Sequence, residues 1–131
     1  PLIVGLGFAA ELAEKESSMR TARCRTFRDR AIEAFSRLDI SYNGDQGRTL
    51  PSTLSLSFDG LDSEAVMVTL KGLIAVSNGS ACTSQSYELS HVLKAMELPE
   101  SQVRGAVRFS WCHMTPEPDW DEVVKRIEFL R

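Results

Sequence analysis

No apolar run in this chain approaches the ~18–20 residues that a membrane-spanning helix needs, so no membrane association is expected. No basic stretch followed by an apolar core and a small-residue cleavage site opens it, so no secretory signal is legible. Basic residues are in the minority. The 15 Lys and Arg face 18 Asp and Glu, and the net charge of -3 gives no general attraction to nucleic acid. Histidine is scarce at two residues, and no CxxC occurs; the only adjacent Cys-His pair is Cys112-His113. A structural zinc site is therefore not expected. Three cysteines, Cys24, Cys82 and Cys112, cannot all pair within one chain. Without a secretory signal the expectation is a reduced, cytoplasmic setting rather than a disulfide scaffold. Internal repeats and low-complexity segments are absent too. At 131 residues, the chain is expected to form a single domain over 1–131.

The patterns that are present alternate between helix and strand. Cys24, Phe27, Ala31, Phe35 and Leu38 recur at spacings of three, four, four and three, which predicts one long helix or two joined helices over 2–38. The earlier Leu2–Ala13 stretch is apolar nearly all round and is expected to pack on more than one side. Ile40–Gly47 reads as a short strand edge with a turn at Asn43-Gly44-Asp45. Leu54, Leu56 and Phe58 alternate with Ser55 and Ser57, a strand with one buried face. Asp62 or Ser63 is placed to cap a helix carrying Ala65, Val66, Val68, Thr69 and Leu70, ended by Gly72.

Beyond Gly72 a strand is predicted at 73–77. A helix follows from about Tyr87 to Met96, with Leu89, Val92, Leu93 and Met96 as its apolar stripe. Pro99 breaks the chain, and Ala106–Trp111 reads as a further strand. Thr115 with Pro116 looks like the start of a last helix, with Val123, Val124, Ile127 and Leu130 facing inward. The expected fold class is α/β: a small two-layer sandwich whose three- to four-stranded sheet is packed by helices.

Between the predicted strand and helix, Asn78-Gly79-Ser80-Ala81-Cys82-Thr83-Ser84 sets one cysteine among small polar residues. A thiol that only fills a core belongs inside an apolar pattern. Cys82 sits on a joint between two of them, so 78–86 is expected to be a mobile loop bearing a nucleophile. A free thiol near pKa 8.5 is only about 3% thiolate at pH 7, so such a residue needs help to ionise. Arg108 lies between apolar neighbours on its strand. A charge there either meets solvent or serves a site, and a guanidinium can grip a carboxylate through two parallel hydrogen bonds.

Val76-Ser77-Asn78-Gly79-Ser80-Ala81-Cys82-Thr83-Ser84, the Ser90-His91-Val92-Leu93 helix and Arg108-Phe109-Ser110 together resemble cysteine desulfurases of the NifS/IscS type. Ile3-Val4-Gly5-Leu6-Gly7 and Pro51-Ser52-Thr53-Leu54-Ser55-Leu56-Ser57-Phe58 resemble that family's upstream segments, in the same order. The resemblance implies the carboxy-terminal small domain of a fold-type I pyridoxal phosphate enzyme. It implies that Cys82 is the thiolate that attacks the sulfur of L-cysteine, keeping it as a persulfide while L-alanine leaves. It implies that Arg108 binds the substrate carboxylate. It also implies a homodimer and a sulfur-acceptor protein as partner.

None of the four lysines, Lys15, Lys71, Lys94 and Lys125, stands in the family's Schiff-base setting. The pyridoxal 5'-phosphate is therefore expected on a large domain that would precede Pro1, and the chain by itself is expected to be inactive. Within the family, Cys82-Thr83-Ser84-Gln85-Ser86-Tyr87-Glu88 and Arg108-Phe109-Ser110-Trp111-Cys112 are most similar to the Dnd type, which supplies sulfur for DNA phosphorothioation. Sulfur supply for iron–sulfur clusters or tRNA thiolation, a non-catalytic docking module and a redox relay from Cys82 to Cys112 are the alternatives. Of the remaining candidates, Cys24 is expected to be buried and inert, Cys112 to pack near its strand end, and His91 to be solvated on the side away from Leu89 and Met96. The arginines at 20, 23, 25, 28 and 30 spread around the helix rather than forming one stripe, and a solvated helix rather than a binding surface is expected there.

Overall fold

Thirty-four consecutive residues, Leu2–Phe35, form the first helix, α1. The computed structural model describes residues 1–78 and 89–131. Among them the chain continues through β1 (Ile40–Tyr42), β2 (Thr53–Phe58), α2 (Ser63–Thr69), α3 (His91–Ala95), α4 (Glu100–Arg104), β3 (Ala106–Ser110) and α5 (Trp120–Glu128). The strands pair antiparallel in the order β1-β2-β3. No described helix is long and apolar enough to cross a membrane.

One face of this sheet carries the core. Leu54, Leu56 and Phe58 of β2 and Val107 and Phe109 of β3 are buried against Cys24, Ala31, Phe35 and Leu38 from the first helix and its exit, Val66 and Leu70 from α2 and its end, and Val123, Val124 and Ile127 of α5. The helical and two-residue periods read from the sequence both terminate in this layer. Aromatic rings join the elements: Phe35 lies 5.0 Å from Phe109 and 5.7 Å from Trp120, and Phe27 stacks on Trp111 at 5.0 Å. The Trp111 indole N–H donates to the Cys24 carbonyl (3.1 Å), so its one polar atom is satisfied inside the layer.

The opposite face is small and polar. In register, it presents Ser57 beside Ala106, Ser55 beside Arg108 and Thr53 beside Ser110. α4 closes one end of it, where Gly105 meets β2 edge-on. The Phe58 N–H donates to the Gly105 carbonyl (3.0 Å). A Cβ on Gly105 would lie 2.4 Å from the Phe58 carbonyl oxygen and 3.0 Å from that of Leu61, both main-chain atoms that cannot swing away. Gly105→Ala is expected to destabilise the domain by about 1–3 kcal/mol or more, read as a fall in melting temperature. An unchanged melting temperature would contradict this close approach.

Several expectations need correction. No strand forms over 73–77. The N–H groups of Leu73 and Ile74 both go back to the Leu70 carbonyl, closing the end of α2 around Gly72 (φ +84°). Too few residues are left to run along the sheet, and the segment meets β3 only at the Ser77–Arg108 bridge. The helix expected from Tyr87 starts, among the described residues, at His91, because the Ser90 hydroxyl accepts from the Leu93 N–H and ends the turn there. Thr115 does not cap the last helix. Its hydroxyl accepts the Cys112 N–H (2.9 Å) instead. A second proline, Pro118, disfavours helix at Glu117, and Asp119 is the cap, accepting from the Glu122 N–H (3.0 Å). The short helix α4, after Pro99, carries no apolar period long enough to read.

The apolar head of α1 is uncovered by the described residues: Leu2 and Ile3 are 89% and 87% exposed, and Val4, Leu6 and Phe8 follow them. The burial of α1 begins only at Cys24, where the sheet and α5 lie alongside it. Among the arginines, Arg28 is not solvated. It is buried, donating to the Thr53 carbonyl and to Gln46 Oε1 at 2.5 Å each, and so ties α1 to the start of β2 and to the turn after β1.

Candidate functional site

A cavity of about 370 Å³ opens on the polar face of the sheet. That volume suits a small-molecule ligand. Its floor is β3 and β2, with Arg108 and Ser55; its sides are Asn43 from the turn after β1, Ser77 and Asn78, and the α3 residues His91, Val92 and Leu93 with Met96 beyond them. The apolar stripe of α3 thus lines a cavity rather than filling a core, and no residue of α3 is buried. His91 is exposed, as expected, but it lines the same cavity as Leu89 and Met96.

Arg108 is held by its backbone and free at its tip. Ser77 and Arg108 exchange both main-chain hydrogen bonds (3.1 and 2.7 Å). That fixes the Arg108 Cα on the floor of the cavity. Among the described residues its guanidinium has no hydrogen-bond or ion-pair partner. Most other arginines engage acceptors: Arg20 pairs with Glu16, Arg30 with Glu117, Arg37 with Asp121, Arg104 with Glu100 and Arg126 with Glu122. A fixed cation with an unclaimed fork of donors is suited to a ligand carboxylate.

Beside it, Asn43 centres a network that sequence reasoning missed. Asn43 is 6% exposed, and its carboxamide bonds Ser55, Ser57 and Gln102 at 2.9–3.2 Å. Asn43-Gly44 reads in the sequence only as a turn. The available signal was the alternation in Leu54-Ser55-Leu56-Ser57-Phe58, which puts both serines on the face away from the core.

Cys82 lies outside the described residues, as does the predicted loop 78–86 except for Asn78. The residues flanking that segment, Asn78 and Leu89, both line the Arg108 cavity. Cys24 is buried, as expected for a packing thiol. Cys112 is not packed but exposed. The Met114 N–H and the Thr115 hydroxyl both point at its sulfur (3.4 and 3.6 Å). These donors favour the thiolate and lower the Cys112 pKa, the Met114 N–H contributing most. Cys112 does not line the Arg108 cavity.

All four lysines are exposed, and none lines this cavity. The residues of this chain therefore do not fit a Schiff-base site for pyridoxal phosphate. Among the described residues no group of His, Cys, Asp and Glu is placed to hold a metal ion.

A family model described as aminotransferase class-V matches residues 1–123. The chain is 45% identical over 130 residues to a cysteine desulfurase of Sinorhizobium fredii, covering 97% of this chain and 34% of that protein. It spans about a third of the length of the curated relatives it matches. Among solved structures, it resembles a NifS-like protein with a TM-score of 0.76 at 29% identity, over 97% of this chain and 32% of that one. It also resembles DndA from Streptomyces lividans, with a TM-score of 0.61 at 32% identity, over 86% of this chain and 31% of that one.

Proposed function

The chain belongs to the aminotransferase class-V family, and from that premise we propose that it is the carboxy-terminal small domain of a cysteine desulfurase. Cys82 is the residue that carries sulfur, and Arg108 is the residue that holds the substrate carboxylate. The single observation that carries the reading is the cavity: on its floor is a guanidinium that no described residue claims, and its rim includes both residues flanking the segment that bears Cys82. Cys82 is four residues from Asn78, a reach of at most about 14 Å. A thiol so tethered can meet a ligand in that cavity.

In this reading L-cysteine enters with its carboxylate on Arg108. The Cys82 thiolate attacks the substrate sulfur, the sulfur–carbon bond breaks, L-alanine leaves, and the sulfur remains on Cys82 as a persulfide. A sulfur-acceptor protein then receives it. Members of this family use pyridoxal phosphate, which supplies an electron sink for breaking the sulfur–carbon bond. The exposed lysines argue that another part of the protein holds it. That part would also cover the apolar head of α1, whose exposed Leu2, Ile3 and Val4 are poor company for water. The intact enzyme would be a homodimer. The finer assignment, sulfur supply for DNA phosphorothioation, is supported by the Cys82–Glu88 and Arg108–Cys112 segments and by the likeness to DndA.

Alanine release from L-cysteine in the presence of pyridoxal phosphate tests this. The full-length protein is expected to release alanine catalytically, and residues 1–131 alone to release none above cofactor in buffer. Release by residues 1–131 at the rate of the full-length protein would overturn the division of labour. Absence of release from the full-length protein would overturn the activity.

A further inference from the structure

On the polar face of the sheet, the Ser55 hydroxyl stands next to Arg108 with a proton that no described residue accepts. Arg108 spends both backbone hydrogen bonds on Ser77 (3.1 and 2.7 Å), so its N–H and C=O point away from β2. Ser55 is its partner in register, and the Ser55 carbonyl accepts from the Asn43 N–H on the other side (3.0 Å). Ser55 and Arg108 are therefore a non-hydrogen-bonded antiparallel pair. In such pairs the Cα atoms approach to about 4.5 Å and the side chains stand close together on one face. Both residues line the cavity.

The Ser55 hydroxyl is committed as an acceptor only. Asn43 Nδ2 donates to Ser55 Oγ (3.2 Å) and to Ser57 Oγ (2.9 Å). Asn43 Oδ1 already accepts from Ser57 Oγ (3.1 Å) and Gln102 Nε2 (2.9 Å). A carboxamide oxygen has two lone pairs, so Asn43 cannot also take the Ser55 proton. Among the described residues the Ser55 O–H has no acceptor. A cationic donor and a neutral donor thus rise from paired positions on the cavity floor. Two adjacent donors match the two oxygens of a carboxylate.

The geometry points to Ser55 as a second donor to the substrate carboxylate, with Asn43 as the positioning residue that turns its hydroxyl toward the ligand. This rests on the reading of Arg108 as the carboxylate anchor. It adds selectivity: a carboxylate can accept from both groups at once, whereas a carboxamide replaces one of those oxygens with an NH2 group that cannot accept the proton of Ser55 or an N–H of Arg108.

The test is calorimetric binding of L-alanine and of L-alaninamide to the full-length protein, with no turnover involved. The wild type is expected to prefer L-alanine, and Arg108→Ala to abolish that preference. Ser55→Ala is expected to weaken L-alanine about 10-fold and leave L-alaninamide unchanged. Ser55→Thr, which keeps a hydroxyl, is expected to restore most of the affinity. If Ser55→Ala binds L-alanine as tightly as wild type while Arg108→Ala loses its preference, the Ser55 assignment falls and the Arg108 reading survives. An equal loss for both ligands in Ser55→Ala would mean a disturbed fold and would also overturn the assignment. If Arg108→Ala keeps the preference, the carboxylate reading itself fails and takes Ser55 with it.

Discussion

Replacing Cys82 by serine in the full-length protein is expected to lower alanine release from L-cysteine by at least ~10³-fold, with the melting temperature unchanged. A serine hydroxyl is not ionised near neutral pH and cannot store sulfur as a persulfide. The substitution is nearly isosteric, so it removes the chemistry and spares the packing. Two other thiols provide internal controls. Cys24 is buried on α1 and does not line the cavity that holds Arg108. Cys112 is exposed and has donors around its sulfur that favour thiolate, which makes it the stronger rival. It does not line the cavity that holds Arg108. Cys112→Ser is accordingly expected to leave alanine release within about twofold of wild type, as befits a change outside the reacting groups. A large loss in Cys112→Ser alongside a small one in Cys82→Ser would move the sulfur chemistry to the wrong end of β3 for this account.

Arg108→Ala is expected to lower kcat/KM for L-cysteine about 100-fold, mostly through KM. Among the described residues the guanidinium has no acceptor, and unlike Arg23 and Arg25 it lines the cavity. Most other arginines are paired, and Arg28 donates to the Thr53 carbonyl and to Gln46. A surface arginine with no role contributes little when removed, so a small effect would return Arg108 to the status of a solvated strand residue. Arg108→Lys separates charge from shape. It keeps the cation but loses the planar fork, and a loss of about 10-fold is expected, intermediate between wild type and alanine. A lysine variant as poor as alanine would show that geometry rather than charge binds the carboxylate.

Much of the layered core was legible in the sequence. The three- and four-residue spacing from Cys24 to Leu38 and the alternation from Leu54 to Phe58 are direct images of the faces they bury, and both meet in one core. Asp62 and Gly72 marked α2 correctly because a side-chain cap and a left-handed glycine are local devices. Failures came where two local signals competed. Thr115-Pro116 and Asp119 both look like helix starts, and only the second proline at 118 decides between them. Leu73-Ile74-Ala75-Val76 has strand composition, but the turn closing α2 consumes its first backbone donors. The apolar stripe of α3 was readable, but not that it would line a cavity. Arg108 was visible as a charge out of place. The Asn43 network was not, because it depends on which strand lies beside which, and register is a property of the sheet rather than of any one segment.

The sulfur-carrier account is tested most directly by mapping where sulfur resides after turnover. The full-length protein would be incubated with L-cysteine, quenched with an alkylating agent and digested, and its cysteine peptides weighed. One extra sulfur atom is expected on the peptide containing Cys82, and none on those containing Cys24 or Cys112. Alanine released at full rate with no sulfur found on the Cys82 peptide, or with the sulfur on Cys112 instead, would contradict it.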